Sequence, residues 1–251
     1  MSSSAPVPPE PMILLVIGGD PALAVRLPHR VPPGSVVVAA DSGLDQLVAA
    51  GIAAHHVVGD LDSVSAEALQ AAVDAGAEVH RHPADKDATD IELALRLAVH
   101  HLAPAHGLRR LLVVGAGGGR LDHLLADVFV LTGPALAPLD VTARLGTATV
   151  TVVRPGAGRT IGGTPGEQVS ILPAHGSAAG VTTTGLRWAL LDADLVPGTT
   201  RAVSNELLGS SASVAIAAGV VAVVQPGTTA PPIDPRTTPY DPTPRDPGGT
   251  P

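Results

Sequence analysis

VVVAADSGLDQLVAAGIAAHHVVGDLDS, residues 36–63, carries the decisive pattern for the fold. Its first five residues, Val36 to Ala40, form an apolar run too short for a helix, which predicts a strand buried on both faces. Gly43 to Ala50 then takes helical spacing, and Val57 with Val58 begins a second short apolar run. Strand, helix and strand in that order make a βαβ unit with parallel strands. The alternation extends outward on both sides. Ile13 to Ile17 and Leu111 to Val114 are further strand candidates, and Ala66 to Ala75, Thr89 to Leu102 and Asp122 to Leu131 are helix candidates. The Thr89 helix sets Ile91, Leu95, Ala98 and Leu102 on one face and opens with a capping box of Thr89 and Glu92.

The pattern changes once, near residue 140. From Leu139 onward the chain is rich in Val, Thr and Gly with repeated turn signals and no helical stripe, as an antiparallel sandwich or barrel requires. The expected fold class is therefore an α/β domain with a mostly parallel sheet over residues 12–138, followed by an all-β sandwich over 139–225. The ends differ from both. Residues 1–11 hold four prolines and residues 226–251 hold nine, and neither stretch has an apolar face, so both are expected to be disordered.

The bulk composition narrows the function classes. A chain of 251 residues with 45% hydrophobic content has ample material for a core. It contains no cysteine, which removes disulfides, thiolate metal sites and thiol nucleophiles and fits a reducing cytoplasm. A formal net charge of −8 with only 15 Lys and Arg disfavours a nucleic-acid surface. The apolar run Met12 to Ile17 is far shorter than the roughly 20 residues that span a bilayer, so no membrane partner is expected.

Aspartates concentrate where the buried strands end. Asp41 follows Val36 to Ala40, Asp60 and Asp62 follow Val57 and Val58, and Asp122 follows Leu111 to Val114, while Asp87 and Asp90 stand at the start of the Thr89 helix. Ligands of open α/β sheets bind beyond the carboxyl ends of the strands, so these six carboxylates are expected in one crevice, where a divalent cation would relieve their repulsion. All-oxygen donors suit magnesium. Lys86 and Arg120 supply charge for phosphate oxygens, and Gly117 to Gly119, including Gly118 and Gly119, could bring backbone N–H groups to a phosphate. An aspartate in such a place also serves as a helix cap or an Asx turn, and three glycines also make a tight turn. No Gly-Lys-Ser/Thr follows the glycines, and Asp20 and Pro21 break any dinucleotide fingerprint after Gly18 and Gly19. His123 could act as a ligand or an acid/base, or only line its helix. His55, His56, His80, His82, His100 and His101 show no metal-binding spacing and read as ordinary surface or loop residues.

The ordered motifs GDLDS (59–63), KDATDIELAL (86–95) and GGRLDH (118–123), followed by GEQVSILP (166–173), TTTGLRW (182–188) and VSNEL (203–207), resemble thiamine pyrophosphokinases. The resemblance runs from about Ile13 to Val224. It implies diphosphate transfer from ATP to the thiamine hydroxyl, magnesium as cofactor, and a homodimer with sites between subunits. Mapped by motif, Asp60, Asp62 and Asp90 would hold the metal and, with Asp122 and Arg120, form the catalytic centre. Asp41, Lys86, Asp87, Gly118, Gly119 and His123 would lie on the ATP side. Trp188, Ser204 and Asn205 would lie on the thiamine side, where the flat indole suits a cationic heteroaromatic ring, although a lone Trp also fills cores. The hydroxyl proton would pass to an aspartate, Asp90 or Asp62. Ser42 stands where that family commonly has glycine, and Asp127 where asparagine is frequent. A diphosphokinase of a pterin alcohol and a non-catalytic nucleotide-binding regulator are the rival readings.

Overall fold

The computed structural model describes residues 10–19, 27–115 and 120–227. Expectations for residues 1–9 and 228–251, and for Gly117 to Gly119, lie outside the described residues.

The strands read from apolar runs form where expected. β1 (Ile13–Ile17) and β2 (Val36–Ala40) are buried at every position, and β3 (His56–Gly59) and β5 (Arg110–Gly115) extend their predicted cores by one or two residues. β4 (Glu78–Arg81) was not anticipated, because EVHR is polar and half exposed. These five strands run parallel in the order β5-β1-β2-β3-β4. Both faces are covered. Helices α1 (Gly43–Ala49) and α2 (Ala66–Asp74) pack with Leu14, Val16, Val37 and Val57. On the other face α3 (Asp90–Leu97), a π-helical turn (Ala98–Leu102) and α4 (Ala103–His106) pack with Ile13, Leu15, Val38 and Val58. This run had been expected as one α-helix. Pro104 supplies a reason for the wider turn, since a proline ring inside a regular α-helix would clash with the carbonyl of His100.

Thr89 does cap α3, its Oγ1 accepting from Glu92 N at 3.4 Å. The Glu92 carboxylate turns instead to Arg96, at 2.5 Å, so half of the expected capping box is made. The last helix, α5 (Leu121–Thr132), leads to a short 3₁₀ turn at Pro134–Leu136.

The sheet does not end where the sequence pattern changes. β6 (Asp140–Leu145) pairs parallel with β5, and β7 (Ala148–Val153) returns antiparallel beside it. β14 (Val221–Gln225), β9 (Gln168–Pro173) and β12 (Asn205–Glu206) then continue the same ten-stranded sheet. A second sheet, β11-β10-β13-β8, is formed by β8 (Arg159–Gly162), β10 (Ala178–Thr184), β11 (Ala193–Leu195) and β13 (Ser211–Ala215). Val153, Val169, Ile171, Val221 and Val223 of the large sheet meet Ile161, Val181, Leu195 and Val214 of the small one in a separate core. That face-to-face packing is the sandwich that the Val- and Thr-rich half predicts.

Candidate active site

The carboxyl ends of β1, β2 and β3 open onto a crevice of about 410 Å³ lined by Gly18, Asp41, Ser42, Ser63, Thr89, Asp90, Arg120, His123 and Asp127, among others. Its floor depends on tight backbone. Gly43 opens α1 so close to β1 that a Cβ there would run into the Val16 carbonyl, and a Cβ on Gly18 would run into Ser42 Oγ. The chain turns at Asp41 (φ 44°), which lets its Oδ1 accept from Leu61 N at 3.2 Å and ties the end of β2 to the loop after β3.

That loop holds Asp60 in an Asx turn. Its Oδ1 accepts from Asp62 N at 3.2 Å, and Leu61 between them has φ 67°. The turn and the charged site are therefore the same residue in two uses, because Asp60 Oδ2 also binds Lys86 Nζ at 3.0 Å. Lys86 Nζ reaches Asp90 Oδ1 at 2.9 Å as well. One ammonium thus stands between two carboxylates.

Charge is unevenly compensated here. Burial, then the hydrogen bond and charge of Asp90, push the Asp41 carboxyl up to about 7. The hydrogen bond and charge of Asp60 hold Asp62 above its ordinary value, while the hydrogen bond from Lys86 holds Asp60 below its own. Burial would lower the Lys86 ammonium, yet its bonds to Asp90 and Asp60 win and raise it. Asp60, Asp62 and Asp90 do not close into a tight cage. Among the described residues, the one trio of His, Asp or Glu whose ligand atoms all lie within 4.8 Å is elsewhere, on β3 and β4.

The structure gathers Asp41, Asp60, Asp90 and Lys86, with Asp62 beside Asp60. The other two expected carboxylates make no hydrogen bond or ion pair with this group among the described residues. Asp87 is exposed, and Asp122 is exposed and holds the crevice-lining Arg120 through bonds of 3.2 and 2.6 Å. Arg120 depresses Asp122 to about 2 in return. Arg120 and His123 do line the crevice. So do Ser42 and Asp127, the two departures from the family pattern, and burial raises the Asp127 carboxyl. Neither was singled out as a site residue, since no spacing in the sequence brings residue 127 beside residue 42.

A second constellation lies in the sandwich. Trp188 is 54% exposed, which excludes core filling. Asn205, only 2% exposed, accepts from Trp188 N at 3.0 Å and donates to Trp188 O at 2.7 Å, clamping the backbone that presents the indole. Ser204, with φ 56°, donates its N–H to Ser170 Oγ at 3.1 Å. The Arg187 guanidinium sits 5.0 Å from the indole centroid.

Comparison with known proteins meets this geometry. Residues 30–141 match the family model "Thiamin pyrophosphokinase, catalytic domain", and residues 159–221 match "Thiamin pyrophosphokinase, vitamin B1 binding domain". The crystal structure of thiamin pyrophosphokinase from Geobacillus thermodenitrificans is 31% identical, with TM-score 0.68, covering 87% of this chain and 99% of that one. The chain belongs to the thiamine pyrophosphokinase family. It is accordingly an enzyme, a transferase of the kinase type. A thiamine pyrophosphokinase of Bacillus subtilis (strain 168) is 24% identical over 213 residues, 85% of this chain and 97% of that one. A thiamin pyrophosphokinase family protein from Enterococcus faecalis is 27% identical, with TM-score 0.68 over 85% of this chain and 98% of that one. In this thiamine pyrophosphokinase Asp41, Asp60, Asp62, Lys86, Asp90, Arg120 and His123 fall within the catalytic match, and Trp188, Ser204 and Asn205 fall within the vitamin-binding match. No helix among the described residues is long and apolar enough to cross a membrane.

Proposed function

We propose that this thiamine pyrophosphokinase takes the diphosphate group from ATP, releasing AMP, with magnesium at the carboxylate crevice and thiamine against Trp188. The observation that carries this reading is the Asp60–Lys86–Asp90 bridge at the strand ends, in a chain whose sandwich matches a vitamin B1 binding domain.

The donor set fits a hard divalent cation. Asp60, Asp62 and Asp90, which would hold it, offer oxygen alone. The Asp41 carboxyl, raised by burial and by the neighbouring Asp90, is a sign of more negative charge than Lys86 offsets. The open arrangement of the donors suits magnesium, which takes one or two carboxylates and fills its shell with water and phosphate oxygens. When bound, the ion neutralises charge on the phosphates.

The remaining work falls to the chain. Lys86 and Arg120, one between Asp60 and Asp90 and the other anchored by Asp122, offset the charge that develops as the β-phosphorus bond to AMP breaks. The thiamine hydroxyl must lose its proton as it attacks. That proton is assigned to a carboxylate oxygen of Asp62 or Asp90 that the ion does not take. Asp41, Asp87 and His123 complete the ATP side, with Gly118 and Gly119, which precede Arg120 in the sequence. Arg187 over the indole is a cation already held on that π face, the chemistry a thiazolium ring would use.

Trp188 and Asn205 belong to the sandwich, and a homodimer in which one copy offers thiamine to the crevice of the other would bring the two constellations together. Leu121, Leu125 and Phe129, exposed at successive turns of α5, suit such a contact. A cytoplasmic location belongs to the same proposal, in keeping with the absence of cysteine. Incubating the purified chain with ATP, magnesium and thiamine tests the reading: AMP and thiamine diphosphate should form in equal amounts and vanish with Asp62→Ala. Turnover unaffected by that substitution would sink the assignment of the crevice.

A further inference from the structure

Away from the crevice, three potential metal ligands converge on neighbouring strands. β3 and β4 pair in parallel with His56 opposite Glu78 and Val58 opposite His80. Side chains alternate along a strand, so His56, Glu78 and His80 share one face of the sheet. His56 Nδ1 stands 3.1 Å from His80 Nε2, and the two Glu78 oxygens stand 3.6 Å from those same nitrogens.

Hydrogen bonding alone uses this trio poorly. A single proton fits between the two nitrogens, and 3.6 Å is too long for either carboxylate oxygen to join as an acceptor. A metal ion engages all three at once. In a tetrahedral zinc site with bonds of about 2.0–2.2 Å, neighbouring ligand atoms are about 3.3–3.5 Å apart, between the separations found here. The histidines are largely buried, while Glu78, 67% exposed on the edge strand, leaves an open side for water as a fourth ligand. The adjacent His55 is already committed, its Nδ1 accepting from Val37 N at 2.8 Å.

We propose that His56, Glu78 and His80 bind a divalent transition-metal ion of the zinc class, separate from the carboxylate crevice, and that it fastens edge strand β4 to β3. Two imidazoles and one carboxylate select such ions over magnesium. The clip sits below working residues. Beyond His80, Arg81 donates to the Asp60 carbonyl at 3.3 Å and His82 N donates to Gly59 O at 2.8 Å, so holding β4 in place supports the turn that carries Asp60.

Cobalt(II) is the probe, because its visible absorption is strong in four- and five-coordinate sites and weak in octahedral all-oxygen ones. Titrated into the metal-free full chain, it should give a saturable band at one equivalent, displaced by zinc and not by excess magnesium. His80→Gln should abolish the band. Glu78→Gln, at an exposed position that does not threaten folding, should weaken binding about tenfold or more. Asp60→Asn and Asp62→Asn should leave it unchanged. A missing band in the wild-type chain, equal affinity in Glu78→Gln, or loss of the band with the Asp60 or Asp62 substitution would each overturn the site.

Discussion

Gly59 has no side chain where Asp41 needs room: a Cβ at Gly59 would overlap Asp41 Oδ1 and stand 3.2 Å from Asp90 Oδ1. The end of β3 is thus the surface against which two carboxyls from β2 and α3 meet. Gly59 also has φ 148°, a conformation side chains resist. Gly59→Ala should therefore lower unfolding free energy by about 1–3 kcal/mol from backbone strain alone. Diphosphate transfer should fall further than the loss of folded protein explains. Urea denaturation and turnover on the same preparation separate the two effects.

Asp41 gives stability a pH dependence of definite sign. Its carboxyl has an unfolded value of 3.8 and is raised to about 7 in the fold. Between about pH 4 and pH 7 the folded chain keeps this proton and the unfolded chain does not, so in metal-free protein stability falls as pH rises through that window. Asp41→Asn should flatten that part of the profile. Magnesium should raise the melting temperature most at the upper end, where a cation can replace the proton. A wild-type profile that the substitution leaves unchanged would refute the burial and pairing assigned to Asp41.

Asn205 and Trp188 should separate kinetically. Trp188→Ala removes an exposed indole and should raise KM for thiamine with little change in stability or in KM for ATP. Asn205→Ala removes two buried bonds to the Trp188 backbone, and should cost about 2–3 kcal/mol of stability while also raising KM for thiamine. Measuring both substrates' KM values and the denaturation midpoint for each variant distinguishes presenting the ring from being the ring.

Mixing two inactive chains tests the shared site. Asp62→Ala and Trp188→Ala chains, unfolded together and refolded, should recover part of the activity that neither homodimer has. If the mixture stays as inactive as its parents, crevice and indole belong to one subunit.

How far the sequence reached depended on whether the signal was local. β1 and β2 were legible to the residue because five consecutive apolar side chains leave a strand little alternative, and the sandwich was legible from the loss of helical spacing. β4 was not, because EVHR on an edge strand needs no apolar face, and with it went the approach of His56 to His80. The aspartate positions were legible as strand ends, yet local spacing could not show that Asp122 pairs with Arg120. Nor could it show that Asp60 is both an Asx turn and a Lys86 partner. The motif order carried the family, since it records which loops converge. Ser42 and Asp127 were visible only as departures from that order, and their shared place in the crevice lining came from the fold.

The most direct measurement is ³¹P NMR of the full reaction, with the wild-type chain and Asp62→Ala compared under identical ATP, magnesium and thiamine. Attack at the β-phosphorus by way of this crevice predicts AMP and thiamine diphosphate rising together in the wild type and neither in the variant. ADP with thiamine monophosphate, or unchanged product formation in Asp62→Ala, would contradict it.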